Sequence, residues 1–242
     1  MTPRSLLAIT GPDAGPFLQG LVTNDVTRAR DGIIYAALLT PQGKYLADFF
    51  VVGQADGFLI DVATSLGGFL TQRLSLYKLR ANVQITPVDL QVSCGTGPAP
   101  AGALPDPRHP ALGWRQYGAS GLPDDTDWDA LRVAHCIPET GVELTPDSYI
   151  LESGFERLHG VDFKKGCYVG QEVTARMKHK TELRKGLATV QVTGPAETGT
   201  DITSQGKPAG TLLTRSGDRA IAYLRFDRTE AMQAGTAVVT LT

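Results

Sequence analysis

Apolar and polar residues follow two rhythms along this chain, and the change of rhythm divides it. Near the start, Phe17, Leu18, Leu21 and Val22 recur at helical spacing. Asp13 is the expected cap of that helix, and Gly15 and Pro16 are tolerable because they fall in its first turn. Thr23-Asn24-Asp25, residues that favour caps and turns, stop it. Residues 33–39 and 45–52 are strand-like runs joined by Thr40-Pro41-Gln42-Gly43-Lys44, which predicts a hairpin. Another strand, 58–62, follows Ala55-Asp56-Gly57. Leu66, Phe69, Leu70, Leu74 and Tyr77 then mark one face of a helix over 66–79. Short strands are read at 83–85, 90–92 and 114–117, the last within a Pro-, Gly- and Asp-rich stretch. Thr126 is the expected cap of a helix over 127–135 that Ile137-Pro138 ends.

After Lys185 only short strands remain, at 187–192, 211–214, 220–224 and 237–241, with glycine-containing links. That spacing predicts a small barrel or sandwich over 185–242, following an α+β body over 1–184 with lobe boundaries near 50 and 128.

Composition narrows the classes. With 42% apolar and 20% charged residues, the chain is an ordinary globular protein. A net charge of −2 argues against a nucleic-acid binder, which would carry a basic excess. Residues 1–7 contain no long apolar run and no membrane-length segment follows, so no membrane association and a cytoplasmic location are expected. Cys94, Cys136 and Cys167 are far apart and show no zinc-ligand spacing, so no metal site is expected and a reducing compartment fits. Phosphate-loop and dinucleotide motifs are absent.

The sharpest chemistry lies in Lys164-Lys165-Gly166-Cys167-Tyr168-Val169-Gly170-Gln171-Glu172-Val173-Thr174-Ala175-Arg176. One thiol sits between two glycines, ahead of a helix-compatible stretch from about Gln171. Residues 164–185 carry a net +5. A helix N-terminus and neighbouring lysines would favour the Cys167 thiolate. The competing reading is a small, buried, apolar cysteine, which is the one taken for Cys94 and Cys136. The basic run is either a solvated face or a seat for an anion such as a polyglutamyl tail; with Tyr168 as its one aromatic, RNA binding is poorly supported. Asp48 interrupts the apolar strand Leu46-Ala47-Asp48-Phe49-Phe50. Simple alternation turns it to solvent, whereas a buried carboxylate there would need a partner or a ligand. His159, eight residues before Cys167, is a conceivable partner for the thiol, without the signature of a thiol protease.

Lys165-Gly166-Cys167-Tyr168-Val169-Gly170-Gln171-Glu172 resembles the K-G-C-[FY]-x-G-Q-E signature of the YgfZ-type folate-binding proteins, relatives of the glycine-cleavage T-protein. Three other stretches are similar to that family: residues 11–25, then Asp106-Pro107-Arg108 with Leu112-Gly113-Trp114-Arg115, then Ile137-Pro138-Glu139-Thr140-Gly141 ahead of 149–160. The resemblance implies a T-protein-like fold of two α+β lobes and a C-terminal β-barrel around a tetrahydrofolate site. It also implies a role with iron–sulfur assembly proteins or [4Fe–4S] client enzymes, including those that methylthiolate tRNA. Cys167 would be the working residue, supported by Lys165, Gly166, Tyr168, Gly170, Gln171, Glu172 and Arg176, and Asp48 would contact the folate. Ala47 stands where T-proteins carry a second acid, a Gly-Glu folate clamp is missing between Trp114 and Leu122, and Thr181 replaces a common glycine. The departures at Ala47 and at the clamp argue against glycine cleavage and leave tetrahydrofolate binding open, whereas Thr181 is a tolerable variation within the family motif. A tetrahydrofolate-dependent aminomethyl or one-carbon transferase is the alternative, and a scaffold without a small ligand is a third reading.

Overall fold

The computed structural model describes residues 2–30, 32–119, 121–180 and 182–242, with the Lys180 side chain excepted. Thr181 therefore lies outside the described residues. The chain forms two compact units: one takes the residues up to Thr126 together with Glu156–Val173, the other Asp127–Phe155 with Thr174–Thr242.

The first unit is built on strands β1 (Arg4–Thr10), β2 (Ile33–Leu39), β3 (Tyr45–Gln54), β4 (Gly57–Ala63) and β5 (Gln84–Val88), in the order β2-β3-β4-β1-β5 with every pairing antiparallel. Strand alternation gives this sheet two different faces. One carries Leu7, Ile9, Ala36, Leu38, Ala47, Phe49, Val51, Ile60 and Val62, packed beneath helices α1 (Ala14–Gln19) and α2 (Thr64–Lys78) through Leu18, Leu70 and Leu74. The other carries Leu6, Val52 and Leu59, with Val92, Leu104 and Tyr117 packed against them. Those three covering residues belong to β6 (Gln91–Gly95), β7 (Leu104–Pro105) and β8 (Trp114–Gly118), which form a second sheet ordered β6-β8-β7.

The hairpin expected around Gly43 joins β2 to β3. Gly43 has φ +75°, and its amide donates to Thr40 O at 2.8 Å. Residue 50 falls in the middle of β3. Strand β1, flanked by β4 and β5, is an element that the sequence pattern did not single out. Asp13 does precede α1, but its side chain does not cap it. The carboxylate accepts from the Asn82 amide at 2.7 Å instead, because the Gly11 turn brings that backbone against it.

In the second unit, helix α3 (Trp128–His135) is capped by Asp127, whose Oδ1 accepts from the Ala130 amide at 2.9 Å. Thr126, the expected cap, lies one residue too early. Helix α4 (Gln171–Lys180) follows the cysteine motif, beginning in the first unit and passing into the second at Thr174. Strands β9 (Lys185–Thr193), β10 (Asp201–Ser204), β11 (Lys207–Ser216), β12 (Arg219–Arg225), β13 (Met232–Ala234) and β14 (Ala237–Leu241) close a barrel in the order β10-β11-β12-β9-β14-β13. Val190, Ile202, Leu212, Leu224 and Val239 fill it. Arg132 of α3 ties the barrel to residues 139–143: it pairs with buried Glu143, and Glu143 also accepts from the Thr214 hydroxyl.

Candidate functional site

The cysteine motif occupies a loop within the first unit. Its anchors are Thr23 and Asn24, both buried. Asn24 Nδ2 donates to the carbonyls of Tyr35 (2.8 Å) and His159 (2.7 Å), stitching the loop to β2. Thr23 Oγ1 donates to Gly160 O at 2.7 Å and accepts from the Ala37 amide at 2.8 Å. The Asp162 amide donates to Thr23 O at 3.0 Å, and its carboxylate accepts from the amides of Lys164 (2.7 Å) and Lys165 (3.2 Å). Nothing in the sequence pattern distinguished this use of Thr23 and Asn24 from helix termination.

Lys165 does not face outward. It is 9% exposed, and its Nζ donates to Gln19 O, Val22 O and Asn24 O at 2.8, 2.6 and 3.0 Å. The ammonium also lies 5.1 Å from the centre of the buried Tyr168 ring. Beyond Tyr168 the backbone passes through Gly170 at φ +84°, where a Cβ would meet Thr40 O at 2.6 Å and Leu39 Cβ at 2.9 Å. This seat against the hairpin turn explains the glycine. Between the two fastenings, Gly166 and Cys167 are exposed.

The thiol is therefore reachable, and the reading of Cys167 as a buried apolar residue is set aside. One electrostatic expectation is corrected. Helix α4 starts at Gln171 behind Gly170, so Cys167 lies outside the first turn, where the dipole acts. Lys165 directs its charge at carbonyls. Gln171 donates its amide to Tyr168 O at 3.2 Å, Glu172 lies in the acid-favouring first turn, and Arg176 is exposed on α4. Among the described residues no hydrogen bond joins His159 to Cys167. His159 instead lines a cavity of about 370 Å³ with Asn24, Ile33, Ile34, Pro107 and Val161, and Arg28 and Glu156 complete its wall.

Asp48 lies elsewhere in the unit, on β3, beside a charged cluster. It is 5% exposed, so the expectation from alternation that it faces solvent is corrected. Its carboxylate accepts from Tyr35 Oη (2.9 Å) and Tyr45 Oη (2.6 Å). Burial, and then Asp48, push the Tyr35 hydroxyl well above its ordinary pKa. Next to Tyr35, Phe50 is surrounded by three guanidinium groups: Arg115 at 3.9 Å, Arg108 at 4.8 Å and Arg4 at 5.6 Å from its ring centre. Arg4 Nε and Arg115 Nη2 hold the fully buried Asp61, which also accepts from Tyr117 Oη at 3.0 Å. Arg108 grips Asp106 with two bonds, at 3.0 and 2.8 Å. Burial alone would raise both carboxyls, but Arg115 and Arg4 hold Asp61 below the usual range, and Arg108 does the same for Asp106. Burial pushes the Cys94 thiol up beside this cluster. Asp61, an acid inside Phe58-Leu59-Ile60-Asp61-Val62, carried the same signal as Asp48, yet sequence reasoning passed over it. No group of three His, Cys, Asp or Glu side chains among the described residues is placed to hold a metal ion.

A five-stranded sheet with a helix-covered face, a second small sheet and a closed C-terminal barrel define an aminomethyltransferase T-protein-like fold. The glycine cleavage system aminomethyltransferase T from Bartonella henselae superposes with a TM-score of 0.78, covering 98% of this chain and 81% of that one at 12% identity. Residues 184–242 match the family model of the CAF17 C-terminal beta-barrel domain. The mitochondrial iron–sulfur cluster assembly factor IBA57 of Homo sapiens is 35% identical over 88% of this chain and 70% of its own length. Its counterpart in Mus musculus is 32% identical over 93% and 76%. The chain belongs to the IBA57 family of iron–sulfur cluster assembly factors.

Proposed function

We propose that this chain is a YgfZ-type, tetrahydrofolate-binding member of that family and supports assembly or repair of iron–sulfur clusters through Cys167. The observation that carries the reading is the exposed thiol at the apex of a loop fastened on both sides. A sulfur held in this way can meet a cluster, a persulfide or a partner's thiol without first being uncovered. The clients under this reading are [4Fe–4S] enzymes, those that methylthiolate tRNA among them.

For the folate, Asp48 is the candidate contact. A carboxylate fixed by two tyrosine hydroxyls, with the Tyr35 and Phe50 rings 5.4 Å apart beside it, has the chemistry to orient a planar ring bearing N–H donors. Tetrahydrofolate would supply a one-carbon-carrying or redox-active pterin. A transferase reading has the fold alone behind it, which is weak warrant for chemistry. Ala47, where T-proteins carry a second acid, is fully buried in the apolar core.

The test is Cys167→Ser in the native host, with [4Fe–4S] enzyme activity and tRNA methylthiolation as readouts. Both should fall to the level of a strain lacking the protein. Wild-type levels of both would remove the proposal. Calorimetry with tetrahydrofolate on wild type and Asp48→Asn tests the ligand separately, and Asp48→Asn should weaken binding about 10-fold or more.

A further inference from the structure

Lysines beside a reactive cysteine are usually read as its activators. Here the geometry assigns a different task. The ends of helices leave carbonyl groups without amide partners, and cations are favoured there. Lys165 Nζ meets one such carbonyl at Gln19, the last residue of α1, and two more in the chain just past it, at Val22 and Asn24. Three acceptors match the three hydrogens of an ammonium. Burial lowers its pKa to about 8 against the pull of Asp25 and Asp162, so it remains a cation at neutral pH. Two residues further on, Cys167 is exposed, and the buried Tyr168 and tightly seated Gly170 hold the other side of the loop.

We infer that Lys165 is a positioning residue for Cys167: it fixes where the sulfur projects and does not ionise it. An ammonium whose hydrogens are all engaged by carbonyls has none to offer a thiolate. Arginine would be a poor substitute, since a planar fork cannot converge on three carbonyls. The inference rests on Cys167 being the working residue proposed above.

Two measurements on wild type, Lys165→Gln and Lys165→Met test it. The first is the pH profile of Cys167 alkylation by iodoacetamide, read by mass spectrometry of its peptide. The second is hydrogen exchange of amides 163–169, with the barrel strands β9–β14 as internal reference. The alkylation midpoint should stay within about 0.3 pH unit of wild type in both variants. Exchange at 163–169 should accelerate about 10-fold or more in Lys165→Met and less in Lys165→Gln, which keeps two N–H donors, while the barrel is unchanged. A midpoint raised by about one unit with unchanged exchange would make Lys165 the ionising cation and overturn the inference. Faster exchange throughout the chain would make it a general stability residue, with the same consequence. If Lys165→Met does not fold, Lys165→Gln carries both comparisons. Neither readout depends on cluster assembly, so failure of the Cys167→Ser test would be told apart from failure here.

Discussion

The barrel and the five-stranded sheet bury their inner faces by different means. Val190, Ile202, Leu212, Leu224 and Val239 fill the barrel, and a closed ring of strands leaves no edge to satisfy. The sheet packs one face in the same way, under α1 and α2. Its other face meets the three-stranded sheet through Leu6, Val52 and Leu59 and, beside them, through a charged layer of Arg4, Asp61, Asp106, Arg108 and Arg115. Buried ion pairs seldom add stability over a well-packed apolar filling, because the desolvation cost matches the attraction. The charged layer is therefore poorly explained as a source of stability. It holds Phe50 and Tyr35 in fixed places beside Asp48, as the proposed folate contact would require.

The largest effect that would break this contrast is at Asp61. Asp61→Ala leaves Arg4 and Arg115 without their carboxylate and should cost about 4 kcal/mol, read as a lower urea midpoint. The paired exchange Asp61→Leu with Arg115→Met should recover more than half of that loss. If the single and paired variants were equally unstable, the layer would be a stability element after all. Next in size, Leu212→Ala in the barrel should cost about 3 kcal/mol, the ordinary price of a cavity in an apolar core.

Acid sharpens the comparison with a smaller effect. Asp61 and Asp106 have folded-state pKa values below their unfolded ones, so the stability they contribute is complete above about pH 4 and is lost as pH falls through the folded values. Trp114 lies in β8 and Trp128 in α3, so Trp114→Phe and Trp128→Phe variants give one fluorescence reporter for each unit. The Trp114 signal should report unfolding that begins below pH 4 and moves to higher pH in Asp61→Ala. An acid transition at Trp114 unaffected by Asp61→Ala would remove the charged layer as its cause.

Much of the fold was legible in periodicity alone. The β2–β3 hairpin, β4, α2 and the strand-rich tail each follow from a local pattern of apolar positions and a glycine or proline at the turn, and α4 from a helix-compatible stretch after Gly170. Strand β1 was missed because Arg4, Ser5 and Thr10 dilute its alternation, and its place in the sheet comes from pairing with β4 and β5, distant in sequence. β7, β10 and β13 are too short to show a period. The α3 cap was misplaced by one residue because Thr126 and Asp127 are both good caps, and only the hydrogen bond to Ala130 selects between them.

By itself the sequence determined that a lone cysteine stands between glycines, next to lysines and ahead of a helix, in an α+β protein with a β-rich tail. It could not show which way those lysines point. That was decided by the carbonyls of Gln19, Val22 and Asn24, at and just past the end of α1, which take the Lys165 ammonium, and by the Thr23 and Asn24 side chains, which carry the loop. It also could not tell an outward Asp48 from an inward one, because alternation along one strand is silent about what covers that face; here the Tyr35 and Tyr45 hydroxyls meet the carboxylate. Charge and spacing are local properties of a chain. The partner that neutralises a charge is brought to it by the fold.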